Sequence, residues 1–348
     1  MNPMTLSHER HGLLAHCLAE RVAPLARSAR FTIYSLGSCR LPPAAAAADG
    51  DDIVLVHDFA PAEIDNNIAR YVADELLPLL YSCGLRPGAA DGYAASDQEV
   101  FERFVGEIVR SMDGNERRAW HLFYDNTLAA LDRAGQKEGG AKKESDAPRD
   151  YIADFAAIYS RVGDLVAEIA PSSLLDVGTC FGFLPLLLAS GAGPETYRPR
   201  KLRCIVGCDL NPALVALAES YARRRKLSGV RFVETDILSV NGYGRLPEPS
   251  FDVVTALHLL EHLETEQTAA AMEALWSLAR RRLIVAVPVE TVPDPRFGHC
   301  QVFTCESLHA LGQGTAATSR CFEDHGAWLV IDREQDAGSD WGGRKTGT

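Results

Sequence analysis

The chain has 348 residues, 47% of them hydrophobic, and a formal net charge of −12, enough for one large domain with a smaller companion. The acidic balance argues against nucleic acid as a partner, because phosphate contacts need clustered Lys and Arg. No apolar run reaches membrane-spanning length, no leader-like apolar core opens the chain, and nine scattered cysteines lack a Cys-x-x-Cys pair, so the expectation is a soluble, cytoplasmic protein with reduced thiols and no membrane partner.

Residues 1–134 read as an N-terminal α+β region. Phe31 to Leu36 and Ile53 to Val56 have the composition of short strands, and Ile64, Ile68, Val72 and Leu76 recur at helical spacing. Ser96-Asp97-Gln98-Glu99 has the form of a capping box before Val100, Phe101, Phe104, Val105 and Ile108. A further helix carries Trp120, Phe123, Tyr124 and Leu128, and this aromatic stripe reads as helix core rather than a ring-binding surface. Residues 135–149, polar and Gly-rich, read as a linker or loop. The third segment, 150–332, opens with an amphipathic helix from Asp150 to Ala170. Strands then alternate with helices: Leu174–Val177, Cys204–Cys208, Arg231–Glu234, Phe251–Ala256 and Leu283–Val287. Such alternation implies an α/β, doubly wound and mostly parallel sheet. Thr318–Glu323 and Trp328–Ile331 suit an edge hairpin, and 333–348 reads as a disordered tail. The run Arg223-Arg224-Arg225-Lys226 fits a helix C-terminus, where cations suit the dipole.

The chemistry centres on Ser173 to Phe183. An apolar strand ends at Asp176, a turn with Gly178 and Gly182 follows, and an apolar helix begins. Glycines let backbone approach a ligand closely, and a helix start offers free N–H groups. The turn spells Asp-x-Gly-x-Cys-x-Gly. It resembles the Asp/Glu-x-Gly-x-Gly-x-Gly of class I S-adenosylmethionine (SAM) methyltransferases, with Cys180 where that family has its middle glycine. An NAD-binding Rossmann turn would need Gly-x-Gly-x-x-Gly, which Gly178 to Phe183 do not supply.

The resemblance implies a Rossmann-like seven-stranded sheet and SAM as cofactor. It implies cofactor contacts from Asp176, Gly178, Thr179, Cys180, Phe181 and Gly182. It assigns Asp209 to the ribose hydroxyls with Leu210 next to it at the cofactor, Asp236 and Ile237 to the adenine, and His258 to the rim after the fourth strand. The segments CFGFLPL, ALHLLEHL and RRRLIVAVP, with Val289 to His299 and His325 to Val330, are similar to the methyltransferase family of the mycofactocin pathway, over about residues 150–331. That family methylates a hydroxyl of the glucose chain on a redox cofactor, which implies an O-methyltransferase with a small-molecule or oligosaccharide acceptor. Residues Gly191 to Arg203 lengthen the connection to the second strand.

A sugar hydroxyl needs a base near the transferring methyl group. His262 and His299 are the first candidates and His258 the third. Glu261 reads as a solvated helix acid. His258-Leu259-Leu260-Glu261-His262 also spells the His-x-x-Glu-His of inverted zincins. That motif requires an established helix, and here it follows a strand directly, so the zincin reading is set aside; a metal-assisted variant using Glu290, Asp294 and the histidines stays open, but nothing in their spacing requires it and no metal is assigned. A silent methyltransferase-like scaffold is the alternative from a different class, and the intact acids and histidines speak against it.

Overall fold

The computed structural model describes residues 23–35, 53–85, 95–136, 150–191, 202–239, 245–246, 250–313 and 317–333. Most of the expected linker, the centre of the 191–203 connection and the C-terminal tail lie outside these residues.

Strands β1 (Ala26–Arg27), β2 (Phe31–Ser35) and β3 (Ile53–His57) form a small antiparallel sheet. Helix α1 (Ile68–Tyr71) runs through a π-helical turn, Val72–Leu76, into α2 (Leu77–Ser82). Helix α3 (Asp97–Arg110) begins in the expected capping box: the Ser96 hydroxyl accepts from the Glu99 N–H at 3.1 Å, and the Glu99 carboxylate accepts from the Ser96 N–H at 2.7 Å. Helix α4 (Glu116–Gly135) buries Trp120, Phe123 and Tyr124, so the aromatic stripe is core. Helix α5 (Tyr151–Ala167) is N-capped by Asp150.

The large sheet follows: β4 (Ser173–Val177), α6 (Phe183–Ser190), β5 (Cys204–Asp209), α7 (Pro212–Arg225), β6 (Val230–Glu234), β7 (Phe251–Leu257), α8 (Thr265–Leu278), β8 (Ala279–Val287), α9 (Cys305–Gln313), β9 (Thr318–Glu323) and β10 (Ala327–Asp332). Its order is β6-β5-β4-β7-β8-β10-β9. The first five strands are parallel, and β10 lies antiparallel between β8 and β9 as the expected hairpin. All five residues of β4 are buried, as a central parallel strand covered on both faces requires. Alternate residues feed opposite layers. Leu174 joins a core with Phe104, Phe123, Phe183 and Trp328, and Leu175 joins one with Val206, Val254, Leu275 and Leu329. The first of these cores is continuous from the N-terminal helices into the sheet layer.

One boundary departs from expectation by several residues. Strand β8 starts at Ala279, four residues before the expected Leu283, and takes in Arg280 to Arg282. Arg282 is 5% exposed, because its guanidinium donates to both carboxylate oxygens of Asp332 at 2.6 and 2.9 Å, to Glu168 at 2.6 Å and to the Leu165 carbonyl at 2.6 Å. The basic run does end α7 as expected, and Lys226 closes it in a left-handed conformation.

Candidate active site

Strand β4 has β5 on one side and β7 on the other, so chain connections leave it in both directions. In open α/β sheets the ligand crevice lies at the carboxyl ends of the strands at such a switch point. The candidate residues gather there on two walls.

The first wall is the turn after β4. Gly178, Cys180 and Gly182 all have positive φ, at 69°, 50° and 72°. A left-handed residue with a Cβ costs about 1–2 kcal/mol, which is the cost of Cys180 in the place of a glycine. The Cys180 N–H donates to Asp209 Oδ2 at 2.7 Å, and the Asn211 N–H donates to Oδ1 at 2.9 Å. Asp209 thus joins the ends of β4 and β5. A Cβ on Gly178 would come within 2.8 Å of Leu259 Cδ1, and one on Gly182 within 2.4 Å of Phe232 Cε1. The glycines therefore admit neighbouring side chains of the protein.

Asp176 lies beneath the turn, 4% exposed. Thr179 Oγ1 donates to one carboxylate oxygen at 2.7 Å and Thr255 Oγ1 to the other at 2.6 Å. Burial raises its pKa to about 6, although both hydroxyls oppose the rise and the Asp209 charge adds to it. Beyond β6, Asp236 Oδ1 accepts the Leu238 N–H at 2.8 Å. Ile237 is buried in the core, whereas Leu210 is 66% exposed beside Asp209.

The second wall follows β7 and β8. His258 has φ 53°, and its N–H donates to the Ala286 carbonyl at 2.8 Å, extending the pairing with β8 by one residue. Its Nδ1 is 3.2 Å from Glu261 Oε1, and its ring packs 5.8 Å from that of Phe155. Leu260–His262 form a single 3-10 turn rather than an α-helix, as the rejection of the zincin reading requires. Glu261 is corrected: it is 1% exposed, not solvated. The Glu261 carbonyl accepts the Cys300 N–H at 2.7 Å, which folds the loop after β8 against this turn. Gln301 Nε2 reinforces it by donating to the Leu263 carbonyl and Thr268 Oγ1, both at 2.8 Å. The imidazoles of His262 and His299 consequently meet edge to face, 4.9 Å apart. His299 Nδ1 is 2.8 Å from Glu290 Oε2. Desolvation lowers the pKa of His262, as do the neighbouring histidines, against the pull of Glu261.

The N-terminal helices cover this second wall. Phe297 packs edge to face on Phe101 of α3 at 5.1 Å, and Arg296 donates to the Ala73 carbonyl at 3.0 Å and pairs with Asp74 at 3.1 Å. Thr255 and Gln301 were not among the expected site residues. Thr255 had a signal, as the one hydroxyl in an otherwise apolar stretch of β7. Its role depends on register, which sets it opposite Asp176.

Residues 175–282 match the sequence model of the family described as "Methyltransferase domain". A demethylmenaquinone methyltransferase of Thermus thermophilus is 38% identical over 96 residues, which cover 27% of this chain and 37% of that protein. The chain therefore matches little more than a third of that relative's length. Among solved structures, magnesium protoporphyrin IX methyltransferase of Synechocystis PCC 6803 with bound SAM aligns at a TM-score of 0.41 and 17% identity, covering 60% of this chain and 97% of that one. A SAM-dependent methyltransferase from Aquifex aeolicus aligns at 0.36 and 16%, covering 49% and 87%. The strand order together with the matched stretch gives a class I methyltransferase fold, Rossmann-like and mostly parallel. A domain of this type takes SAM as its cofactor. Among the described residues, no helix is long and apolar enough to cross a membrane.

Proposed function

We propose that the chain is a SAM-dependent O-methyltransferase acting on a hydroxyl of a small-molecule or oligosaccharide acceptor, with the glycan of mycofactocin as the specific substrate to test. The observation that carries this reading is the pair of loops that meet at the carboxyl ends of the adjacent strands β4 and β7. One wall is a left-handed turn tied to Asp209. The other gathers Glu261, His262 and His299. Asp209 suits the ribose hydroxyls, the exposed Leu210 an apolar face of the adenine, and the Gly178–Gly182 turn the methionine end.

Methyl transfer from a sulfonium is an in-line displacement, so the walls must hold sulfur, methyl and acceptor oxygen in a row and exclude water. The acceptor hydroxyl sits against the imidazoles, where a ring nitrogen can take its proton as the oxygen attacks. Glu290 accepts from His299 Nδ1 and so leaves the lone pair on Nε2.

Calorimetry with SAM tests the first wall. Asp209→Ala removes ribose contacts and the Cys180 anchor, and is expected to weaken binding by about 1.5–3 kcal/mol, or roughly tenfold to a hundredfold. Unchanged affinity rejects the assignment. Labelled SAM with fractionated oligosaccharides tests the second: His299→Ala is expected to lose about a hundredfold in kcat with little change in SAM affinity. SAM binding without transfer to any hydroxyl acceptor would favour the scaffold alternative.

A further inference from the structure

Glu261 presents an unsolved problem of charge. Its side chain is 1% exposed, and neither carboxylate oxygen accepts a hydrogen bond from any of the described residues. A buried carboxylate without donors is costly, and buried charges are ordinarily paired or bound to metal. His258 lies 3.2 Å away, but its contact with Glu261 does not form a hydrogen bond, and its own Nε2 is buried without a partner. One donor atom each from Glu261, His262 and His299 lie within 4.8 Å of one another. Ligands about 2.1 Å from a common ion stand roughly 3–4.2 Å apart, so small side-chain rotations close the set. His299 is already oriented as a ligand would be. Glu290 holds its Nδ1 at 2.8 Å, the carboxylate–histidine pairing that fixes the tautomer of metal-ligating imidazoles.

The geometry points to a divalent metal site formed by Glu261, His262 and His299, at the acceptor wall of the crevice. Two imidazoles and one carboxylate select a first-row transition ion such as Mn²⁺, Co²⁺ or Zn²⁺ over Mg²⁺ or Ca²⁺, which prefer all-oxygen shells. Three protein ligands leave positions open for acceptor oxygens, as in catalytic rather than structural sites. The inference rests on the methyltransferase reading for its chemistry, and it replaces direct proton abstraction by an imidazole with Lewis-acid activation. The hydroxyl binds the ion and gives its proton to water. An oxygen lone pair then forms the O–CH₃ bond while the S–CH₃ bond breaks and its electron pair returns to sulfur, leaving S-adenosylhomocysteine. An ion lowers the pKa of a bound oxygen acid by several units, which is the help a sugar hydroxyl lacks.

The test uses the full chain, stripped with a chelator and titrated with Co²⁺ under optical and calorimetric detection. One Co²⁺ per chain is expected, with a visible ligand-field spectrum perturbed in His262→Ala. Glu261→Gln, which keeps the shape of the side chain, and His299→Ala should each weaken binding at least a hundredfold. Glu290→Gln should weaken it about tenfold to a hundredfold. Melting curves establish that each variant is folded, and any that is not is replaced by His262→Asn. No saturable Co²⁺ binding below about 1 mM, or equal affinity in Glu261→Gln and His299→Ala to that of the unaltered chain, overturns the site. SAM titration of the stripped protein runs alongside. Co²⁺ binding without SAM binding leaves the metal site standing and removes the methyltransferase reading. SAM binding without Co²⁺ does the reverse.

Discussion

Asp176→Asn should stabilise the protein at neutral pH and do nothing for it in acid. The wild-type carboxyl is fully enclosed and takes two hydroxyl donors, Thr179 and Thr255, yet its pKa still rises from 3.8 to about 6. A folded-state pKa above the unfolded value means that the native protein holds the proton more tightly. The group's stabilising contribution is therefore complete below pH 3.8 and is lost as pH rises through about 6. At about 1.36 kcal/mol per pH unit, the difference amounts to about 3 kcal/mol. Asparagine keeps the shape, offers an oxygen to one threonine and an N–H₂ to the other, and carries no charge to bury. Part of the gain is lost in turning one hydroxyl round, so about 1–3 kcal/mol should remain at pH 8, roughly 1–5 °C in Tm for a chain of this length. Thermal melts of both proteins from pH 4 to pH 8 measure this. The charged and titratable neighbours, Asp209 and the thiols of Cys180 and Cys208, are present in both and drop out of the difference. A gap between the two Tm curves that stays constant across this range, or that shrinks as pH rises, would refute the argument.

His57 should act with the opposite sign in nearly the same window. Its ring is 3% exposed, accepts the Phe59 N–H at Nδ1 and meets Ser111 Oγ at 2.9 Å, and burial lowers its pKa from 6.5 to about 4 against the charge of Asp58. Its contribution of about 3 kcal/mol is present above pH 6.5 and lost as pH falls toward 4, so His57→Gln should flatten the acid side of the Tm profile; an unchanged acid slope counts against it. Gly182→Val places a branched side chain at φ 72° with its Cβ 2.4 Å from Phe232, and it should leave little folded protein, with partial recovery when Phe232→Ala opens the space; a stable single variant with normal SAM affinity would falsify the account of this turn. Gln301→Ala removes the donors that hold the His299 loop to the 3-10 turn and should cost about 1–3 kcal/mol in stability. It should lower kcat far more than SAM affinity, and equal effects on both would show that the loop does not serve the acceptor side.

The parallel strands were legible because each is an apolar run of strand length between turn residues, and burial on both faces demands that composition. The Gly178–Gly182 turn was legible for a similar reason, since its φ values restrict which residues fit. What escaped depends on partners distant in sequence. The early start of β8 was not legible in Arg280 to Arg282, because only Glu168 and Asp332, distant in sequence, neutralise Arg282 within the strand. Glu261 looks like a surface acid because nothing nearby in sequence shows that Cys300 and Gln301 fold over it. Exposure was not legible either: of the two apolar residues expected at the cofactor, Ile237 lies in the protein core and Leu210 is exposed. Asp176 was expected to face a ligand, and only the register of β4 against β7 reveals Thr255 as its partner.

The aromatic cluster on α4 has a further consequence for how this protein can change. Phe181 and Phe183, which flank Gly182, lie with ring centroids 5.1 and 5.9 Å from Phe123, and Phe181 lies 5.8 Å from Trp120. The segment that would grip the cofactor thus takes its rigidity from the region nearest the acceptor wall. The chain is not modular at that seam. Transplanting a foreign N-terminal region to alter acceptor choice would also alter the cofactor grip, and a sheet domain cut free near residue 150 would expose these rings to water. Acceptor specificity in such a molecule can drift only through changes that preserve that shared aromatic contact.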